Sequence, residues 1–239
     1  NVLEVPKKVG GRYSVFSPVG LFPLGMLGIN LERLLRGASD MKKNCLHRDI
    51  RRNPAAFSAG VQYLNYKKGK KISNMFLFSN DLESAGKWER QLMGESIGKK
   101  GKGITPTVAV GSTDLHSLIQ LYLGGRNDTF TTFVSVKNNN SVIKMPRLLE
   151  YEDLVGDIQG KSLSEIMDSI LSGIRASYRK SKRPFIDIEI PNKKAFTIGA
   201  LLQFKMMEMM YLGYLMGVNP FDQPDVEKYK KETRRILGS

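Results

Sequence analysis

Two residues in the stretch WERQLMGESIG (88–98) have the types and the spacing to act together on one substrate. Gln91 and Glu95 are four residues apart, so in a helix both side chains project from one face. A carboxylate that is shielded from water becomes more basic, and a positioned carboxylate can abstract a proton from carbon. Glu95 is therefore a candidate general base, although a glutamate on a helix is more often simply solvated.

His116 lies in the stretch GSTDLHSLIQLYLGG (111–125) and is one of only two histidines. An imidazole titrates near neutral pH, so it can both give and accept a proton. Taken alone, His116 is more often a capping or surface residue than a functional one. It follows an apolar run and lies in the first turn of a predicted helix, which is where an open parallel sheet places its functional groups.

Two basic residues and a glutamine add to these candidates. Arg12 follows paired glycines in VGGRYS (9–14), where the backbone can approach closely, and an arginine there can hold an anion or a developing oxyanion. In NPFDQPDVEKYK (219–230), Gln223 precedes a predicted helix, and Lys230 lies on that helix as a cation able to exchange a proton with oxygen. The plain alternatives are a tight turn with an exposed arginine and a solvated lysine.

Three short apolar runs predict the strands that position these residues. Each run is rich in β-branched and aromatic residues and is continuous rather than alternating, as in strands that are covered on both faces. The runs are NMFLFS (74–79), TPTVAVG (105–111) and TFTTFVSV (129–136). Helical patterns fill the gaps between them, so the order of elements predicts an α/β fold with a parallel sheet.

Further helices are predicted after the sheet. Ser162 and Glu165 have capping-box spacing before an amphipathic helix, and residues 196–216 are apolar on nearly all sides, which favours a buried helix filled by methionines. The charged tail 224–237 predicts a surface helix that begins near a proline. The loop GKKGKG (98–103) could cradle a phosphate, but it lacks the spacing of a nucleotide-binding loop, so the signal is weak and we interpret the loop as a mobile exposed turn.

The composition excludes several classes of protein. A single cysteine, Cys45, rules out a disulfide framework and favours a reducing compartment, and the longest apolar stretches are interrupted by prolines or charges, so no membrane span is expected. The net charge of +14 comes from short clusters without interleaved aromatic residues, which indicates solvated faces rather than a nucleic-acid interface. Because the chain starts at Asn1, we expect a processed or truncated piece of something longer.

Four stretches, taken together, resemble motifs of the phosphoglucose isomerase family and occur in the same order as in that family. The resemblance covers essentially the whole chain, which corresponds to the carboxy-terminal half of that enzyme. The four stretches are VGGRYSVFSPVGL, WERQLMGESIGKKGKG, GSTDLHSLIQLYLGG and NPFDQPDVEKYK. The resemblance implies a sugar-isomerase type parallel sheet flanked by helices in residues 1–160, including the GGR segment, and a helical carboxy-terminal extension in residues 161–239. It also implies a cytoplasmic homodimer that uses neither a metal nor an organic cofactor.

The family interconverts glucose 6-phosphate and fructose 6-phosphate in glycolysis and gluconeogenesis, and the matching motifs imply a role for each candidate residue. Glu95 would move a proton between C2 and C1 through a cis-enediolate, and Arg12 would stabilise the charge of that intermediate. His116, contributed across a subunit interface, and Lys230 would assist opening of the sugar ring. The residues that would bind the substrate are Gln91 and Gln223.

Two departures from the family pattern affect these expectations. Asp225 stands in QPDVE (223–227) where the family commonly has glycine. Its carboxylate could disturb the turn or place negative charge near an anionic substrate, which affects the expectation for Gln223 more than that for Lys230. The family's serine/threonine loop that grips the substrate phosphate lies in its amino-terminal half, and DTFTTF (128–133) fits a strand better. We therefore expect the 239-residue chain alone to be inactive or nearly so.

Other interpretations stay open. A non-catalytic module that binds sugar phosphates would keep the fold without needing the base Glu95. A nucleic-acid binder would rest on the net charge alone. Among enzymes, a relative that also accepts mannose 6-phosphate is compatible with the sequence.

Overall fold

The computed structural model describes residues 2–137 and 142–238, and the chain forms two compact units. Unit 1 comprises Asn1–Gly69, Lys87–Pro106 and Lys194–Ser239, and unit 2 comprises Lys70–Gly86 and Thr107–Lys193. The strands are β1 (Ile72–Leu77), β2 (Thr105–Val110), β3 (Thr129–Val136) and β4 (Phe185–Ile190). The helices are α1 (Pro18–Met26), α2 (Leu31–Cys45), α3 (Pro54–Lys67), α4 (Glu83–Ile97), α5 (Thr113–Gly124), α6 (Glu152–Val155), α7 (Leu163–Lys180), α8 (Ala195–Met216) and α9 (Pro224–Leu237). Over the two described ranges, no helix combines the length and the apolar character that crossing a membrane requires.

The strands of unit 2 form a sheet in the order β2-β1-β3-β4. β1 runs parallel to β3, with Ile72 opposite Thr129, and β3 runs parallel to β4, with Thr131 opposite Phe185. β1, β2 and β3 coincide with the three predicted strands to within two residues at each end. The predicted α/β fold with a parallel sheet is confirmed.

Aromatic rings fill one face of this sheet, where α5 and α7 pack. Phe76 and Phe133 are fully buried, and their ring centroids lie 5.9 Å apart. Tyr178 of α7 meets the ring of Phe133 edge-on at 5.0 Å. The predicted capping box of Ser162 and Glu165 is present at the start of α7, so this helix begins where the sequence indicates.

The first turn of α4 lies against the opposite face of the sheet. Leu77 points away from the aromatic face because side chains alternate along a strand. A Cβ atom on Gly86 would come within 2.8 Å of the Leu77 and Val108 side chains. The absence of a side chain at Gly86 therefore allows the first turn of α4 to pack closely on Leu77 and Val108.

β4 has no counterpart among the predicted strands. Its sequence FIDIEI places Asp187 and Glu189 between apolar residues, a pattern of a partly exposed strand, and β4 lies at one end of the strand order. Arg175 of α7 donates to Asp187 at 2.6 Å. β4 belongs to the sheet although it lies within residues 161–239, and each compact unit is assembled from separate segments. The boundaries of the compact units therefore differ from residues 1–160 and 161–239. The expected division into these two domains stays a prediction.

Unit 1 is helical, and α8 is its most buried helix. Met206, Met209 and Met216 of α8 pack with Leu92 and Ile97 of α4 in one buried apolar cluster. The prediction of a buried helix filled by methionines is confirmed. Burial of these long, flexible side chains stabilises unit 1 through the apolar area that they remove from water.

The helices α2 and α8 approach each other closely at two glycines. A Cβ atom on Gly199 would lie 2.0 Å from the carbonyl oxygen of Leu34, and one on Gly37 would lie 1.9 Å from that of Phe196. Neither position has room for any side chain. These glycines therefore set the distance between the two helices.

We expect Gly199→Ala to destabilise the chain by about 1–3 kcal/mol or more, because the added methyl group would push α2 and α8 apart. Gly60→Ala on α3 is a matched control, since a Cβ atom there meets nothing within 4 Å and alanine is the better helix former. Urea unfolding midpoints measure both effects. Equal midpoints for the two variants would contradict this account of the α2–α8 contact.

Candidate active site

Arg12 is the centre of the candidate site. It lies in a 3-10 helix at Gly11–Phe16, and its side chain is only 1% exposed. A guanidinium keeps its charge and has five N–H donors, so a buried arginine must find acceptors for all of them. Arg12 makes five such hydrogen bonds, all to residues of unit 1 that are distant in sequence.

Three of the acceptors come from the segment between α8 and α9. Nη2 of Arg12 donates to the carbonyl oxygens of Pro220 at 2.7 Å and Asp222 at 2.9 Å. Nη1 donates to Oε1 of Gln223 at 2.8 Å. The motif NPFDQ therefore surrounds one side of the guanidinium with main-chain and side-chain oxygens.

The other two acceptors come from α4. Nε of Arg12 donates to Oγ of Ser96 at 3.0 Å, and Nη1 donates to Oε2 of Glu95 at 3.1 Å. Nε2 of Gln91 donates to the second carboxylate oxygen of Glu95 at 3.0 Å, as their spacing on one helical face predicts. The Glu95 side chain is still 28% exposed, so this anion is held by two donors and remains open to solvent. The residues of this Arg12 cluster are Arg12, Gln91, Glu95, Ser96 and Gln223.

Two features of the geometry around Arg12 bear on its expected role towards an oxyanion, which stays a prediction. All five N–H donors are used within the chain, so none is free for an oxyanion. Gly10 has ordinary extended torsions (φ −66°, ψ 152°), and a Cβ atom on Gly10 or Gly11 would meet nothing within 4 Å. The space beside the paired glycines is therefore open, and no part of the described protein occupies it.

Three residues that support Arg12 were not predicted. The hydroxyl of Tyr13 and Oγ of Ser96 share a hydrogen bond of 3.0 Å, and Nε1 of Trp88 donates to the Arg12 carbonyl oxygen at 2.9 Å. Burial raises the pKa of Tyr13, so its hydroxyl stays neutral and able to donate. In the sequence, Tyr13 directly follows Arg12 and Ser96 directly follows Glu95. This adjacency to candidate site residues was the signal that could have pointed to them.

The loop 98–103 is not simply an exposed turn. The Lys99 side chain is only 6% exposed, and its ammonium donates to the carbonyl oxygen of Asp222 at 2.6 Å and contacts Oδ1 of the same residue at 2.7 Å. The hydrogen bond from Lys99 lowers the pKa of Asp222. The expectation of an exposed turn is therefore wrong for Lys99, whereas Lys100 at the tip of the loop is exposed.

Lys230 and Asp225 both lie on α9. Nζ of Lys230 donates to Glu227 at 2.9 Å, and this hydrogen bond raises the pKa of Lys230. Asp225 lies in the first turn of α9, where a carboxylate is favourable, and it pairs with Lys228. α9 begins at Pro224 with Asp225 in its first turn, so a regular helix forms with aspartate at this position, and the effect of Asp225 on the site stays a prediction.

His116 is exposed and lies in the first turn of α5, directly after β2, as predicted. Asp114 holds this turn: its carboxylate accepts from the N–H of Val110 at 2.7 Å and from the hydroxyl of Ser117 at 2.9 Å. His116 belongs to unit 2, whereas the Arg12 cluster belongs to unit 1. The structure thus gathers Gln91, Glu95 and Gln223 around Arg12, and the participation of His116 and Lys230 stays a prediction.

A second buried ionic group connects α3, α4 and α8. Nζ of Lys205 contacts Glu89 at 3.1 Å and also pairs with Glu208, which accepts further hydrogen bonds from Ser58 and from Gln62 at 2.8 Å. Burial raises the pKa of Glu89, which the charge of Lys205 only partly offsets. Burial would lower the pKa of Lys205, but the carboxylates of Glu208 and Glu89 outweigh it and raise that pKa, so the lysine stays charged.

The parallel sheet of unit 2, with helices between its strands, defines an α/β protein. The sequence model of the phosphoglucose isomerase family matches residues 1–239, and the chain belongs to this family. It is 40% identical over 234 residues to the probable glucose-6-phosphate isomerase of Methanococcus maripaludis, covering 98% of the chain and 52% of that protein. It is 35% identical over 237 residues to the glucose-6-phosphate isomerase of Methanocaldococcus jannaschii, covering 99% of the chain and 58% of that protein. The chain spans about half the length of these curated relatives.

Two solved structures share this fold. A hypothetical protein from Thermus thermophilus has a TM-score of 0.91 and 28% sequence identity, covering 98% of the chain and 57% of that protein. A glucose-6-phosphate isomerase from Chlamydia trachomatis has a TM-score of 0.85 and 21% identity, covering 98% of the chain and 48% of that protein. The second likeness shows the fold alone.

We expect Lys205→Met to destabilise the chain by about 3–5 kcal/mol, because it leaves two buried carboxylates without a cation. The folded pKa of Glu89 is raised and would rise further, so the folded state binds more protons than the unfolded state and the loss grows as the pH increases above the ordinary glutamate range. Lys228→Met, which removes an exposed ion pair, should change little. Urea midpoints at acidic and neutral pH measure this, and a loss no larger than that of the control at both values would contradict it.

Proposed function

We propose that this chain is part of a glucose-6-phosphate isomerase, which interconverts glucose 6-phosphate and fructose 6-phosphate in the cytoplasm. Membership of the phosphoglucose isomerase family and the names of the relatives support this proposal. The observation that carries it is the Glu95 carboxylate, which stays partly exposed while Gln91 and Arg12 hold both of its oxygens. A general base must be held in place and still be within reach of the substrate proton, and a fixed, partly exposed carboxylate meets both conditions.

The proposed reaction moves one proton between two carbon atoms. Glu95 removes the proton from C2 of the open-chain aldose and returns it to C1, while a second proton passes from the C2 hydroxyl to the C1 oxygen. The intermediate is a cis-enediolate, and no electron acceptor is needed. Because a carbon acid next to a carbonyl is weak, the base must act together with a group that stabilises the enediolate.

Arg12 would stabilise the enediolate mainly through its fixed charge. All of its N–H groups already have acceptors, so a substrate oxygen could bond to it directly only by displacing one of them. A positive charge in a buried setting acts more strongly than it does in water and needs no reorganisation during the reaction. The open space beside Gly10 and Gly11 supports the approach of a sugar to this side of the cluster.

The two glutamines would orient the sugar through their remaining polar atoms. Oε1 of Gln223 accepts from Arg12, which leaves its amide nitrogen to donate to a substrate hydroxyl. The amide nitrogen of Gln91 donates to Glu95, which leaves Oε1 to accept. Lys230 and, in a homodimer, His116 of a second copy would exchange protons with the sugar oxygens during ring opening.

We expect the 239-residue chain alone to show little or no isomerase activity, because binding energy from the remote phosphate holds the sugar in reactive geometry and the family's phosphate loop lies in the other half. The assay follows conversion of fructose 6-phosphate, coupled to glucose 6-phosphate dehydrogenase, for this chain and for its full-length parent. Appreciable turnover by the chain alone would show that the phosphate loop is dispensable.

We expect Glu95→Gln in the full-length parent to lower kcat by about 10²–10⁴-fold with little change in substrate binding, because the amide keeps the size of the side chain but cannot act as a base. Glu32→Gln, an exposed glutamate on α2, is the matched control. Steady-state kinetics and sugar-phosphate binding measure both variants. A parent that binds glucose 6-phosphate without turning it over, and whose binding survives Glu95→Gln, would instead support a non-catalytic sugar-phosphate module.

A further inference from the structure

The turn after α4 presents two lysines to the segment between α8 and α9. Lys99 and Lys102 exchange backbone hydrogen bonds of 3.0 and 2.9 Å, and the residues between them, Lys100 and Gly101, have φ values of 55° and 70°. Two successive left-handed residues make the tight two-residue turn that reverses the chain with little freedom. The turn therefore fixes the direction in which its two lysine side chains leave the backbone.

Lys99 uses all three ammonium hydrogens within the chain. Its Nζ donates to the carbonyl oxygens of Asn219 and of Asp222, the latter at 2.6 Å, and pairs with the Asp222 carboxylate at 2.7 Å. An ammonium has three donors, so no hydrogen is left for a ligand. This full set of partners argues against a phosphate-binding role for Lys99 and indicates a structural task instead.

Lys102 binds the chain just before that segment, at the last residue of α8. Its Nζ donates to the carbonyl oxygen of Met216 at 2.8 Å. Met216 is the last residue of α8, where carbonyl groups have no helical partner and the helix dipole favours a cation. Lys102 and Lys99 together therefore fasten the chain from the end of α8 to Asp222.

This fastened segment is the one that supplies Arg12 with three acceptors. The Asp222 carbonyl oxygen accepts from both Lys99 and Arg12, and Gln223 follows it directly. We infer that Lys99 is a positioning residue, which holds Asp222 and Gln223 where they orient Arg12 against Glu95. The structural part of this inference is independent of the proposed function, and only the expected effect on catalysis rests on it.

Trp88 provides a test of the structural part that needs no activity. It is the only tryptophan in the chain, and its Nε1 donates to the Arg12 carbonyl oxygen. We expect Lys99→Met in this chain to shift the tryptophan emission maximum and to increase quenching by acrylamide. Lys100→Met removes the same charge from the exposed tip of the same turn, so it should leave both readings unchanged. Unchanged emission in a folded Lys99→Met variant would overturn the inference.

Kinetics of the full-length parent test the catalytic part. We expect Lys99→Met to lower kcat by about 10–100-fold with a smaller change in KM, since a displacement of about 1 Å at a catalytic group has an effect of this size. Lys99→Arg, which can still donate to the two carbonyl oxygens, should restore most of kcat. A variant that folds and binds substrate normally but keeps the parental kcat would overturn the inference.

A double-mutant cycle separates positioning from a general loss of stability. If Lys99 acts through Gln223 and Arg12, then Lys99→Met should have much less effect on kcat in a Gln223→Leu background than in the parent. Independent, multiplicative effects would contradict the coupling. A parent without isomerase activity would defeat the proposed function, whereas a shift of Trp88 emission in Lys99→Met alone would still support the positioning of Arg12 by Lys99.

Discussion

A buried guanidinium requires five acceptors, and this requirement organises unit 1. Arg12 draws its acceptors from the end of α4 and from the segment that follows α8, so these two parts of the chain must meet at one point. A donor left without an acceptor in such a buried place would cost about 1–3 kcal/mol, and more when it is charged. The position of Glu95 is a direct result, because its carboxylate is one of the five acceptors.

The helix α4 is held by charged groups on two of its sides. Glu95 and Ser96 bond to Arg12, whereas Glu89 contacts Lys205 of α8. A helix that is fixed at two separate points along its length can neither rotate nor slide without breaking buried polar contacts. The orientation of the candidate base therefore depends on a lysine that lies outside the candidate site.

Much of the fold could be predicted from the sequence because its determinants are local. The apolar runs of β1 to β3 and the all-round apolar character of α8 report burial directly. The edge strand β4 could not be recognised in the same way, since Asp187 and Glu189 give it a mixed pattern.

Only side chains of the candidate site could be predicted from the sequence, and the backbone groups that complete the site could not. Helical spacing placed Gln91 beside Glu95, and motif resemblance added Arg12 and Gln223. Two acceptors of Arg12 are backbone carbonyl oxygens, and every residue has such an oxygen, so no residue type marks them. The same reason explains the error at Lys99: a lysine in a glycine-rich loop is ordinarily solvated, and its burial here depends on carbonyl groups more than 100 residues away.

The hydrogen bond between Arg12 and Gln223 joins residues that are 211 positions apart. Bringing together such distant parts carries a large loop-closure penalty, and contacts of this kind slow folding. During synthesis Arg12 leaves the ribosome long before its last acceptors exist, and until then its charge must remain in water. The candidate site can therefore assemble only after nearly all of this sequence has been translated.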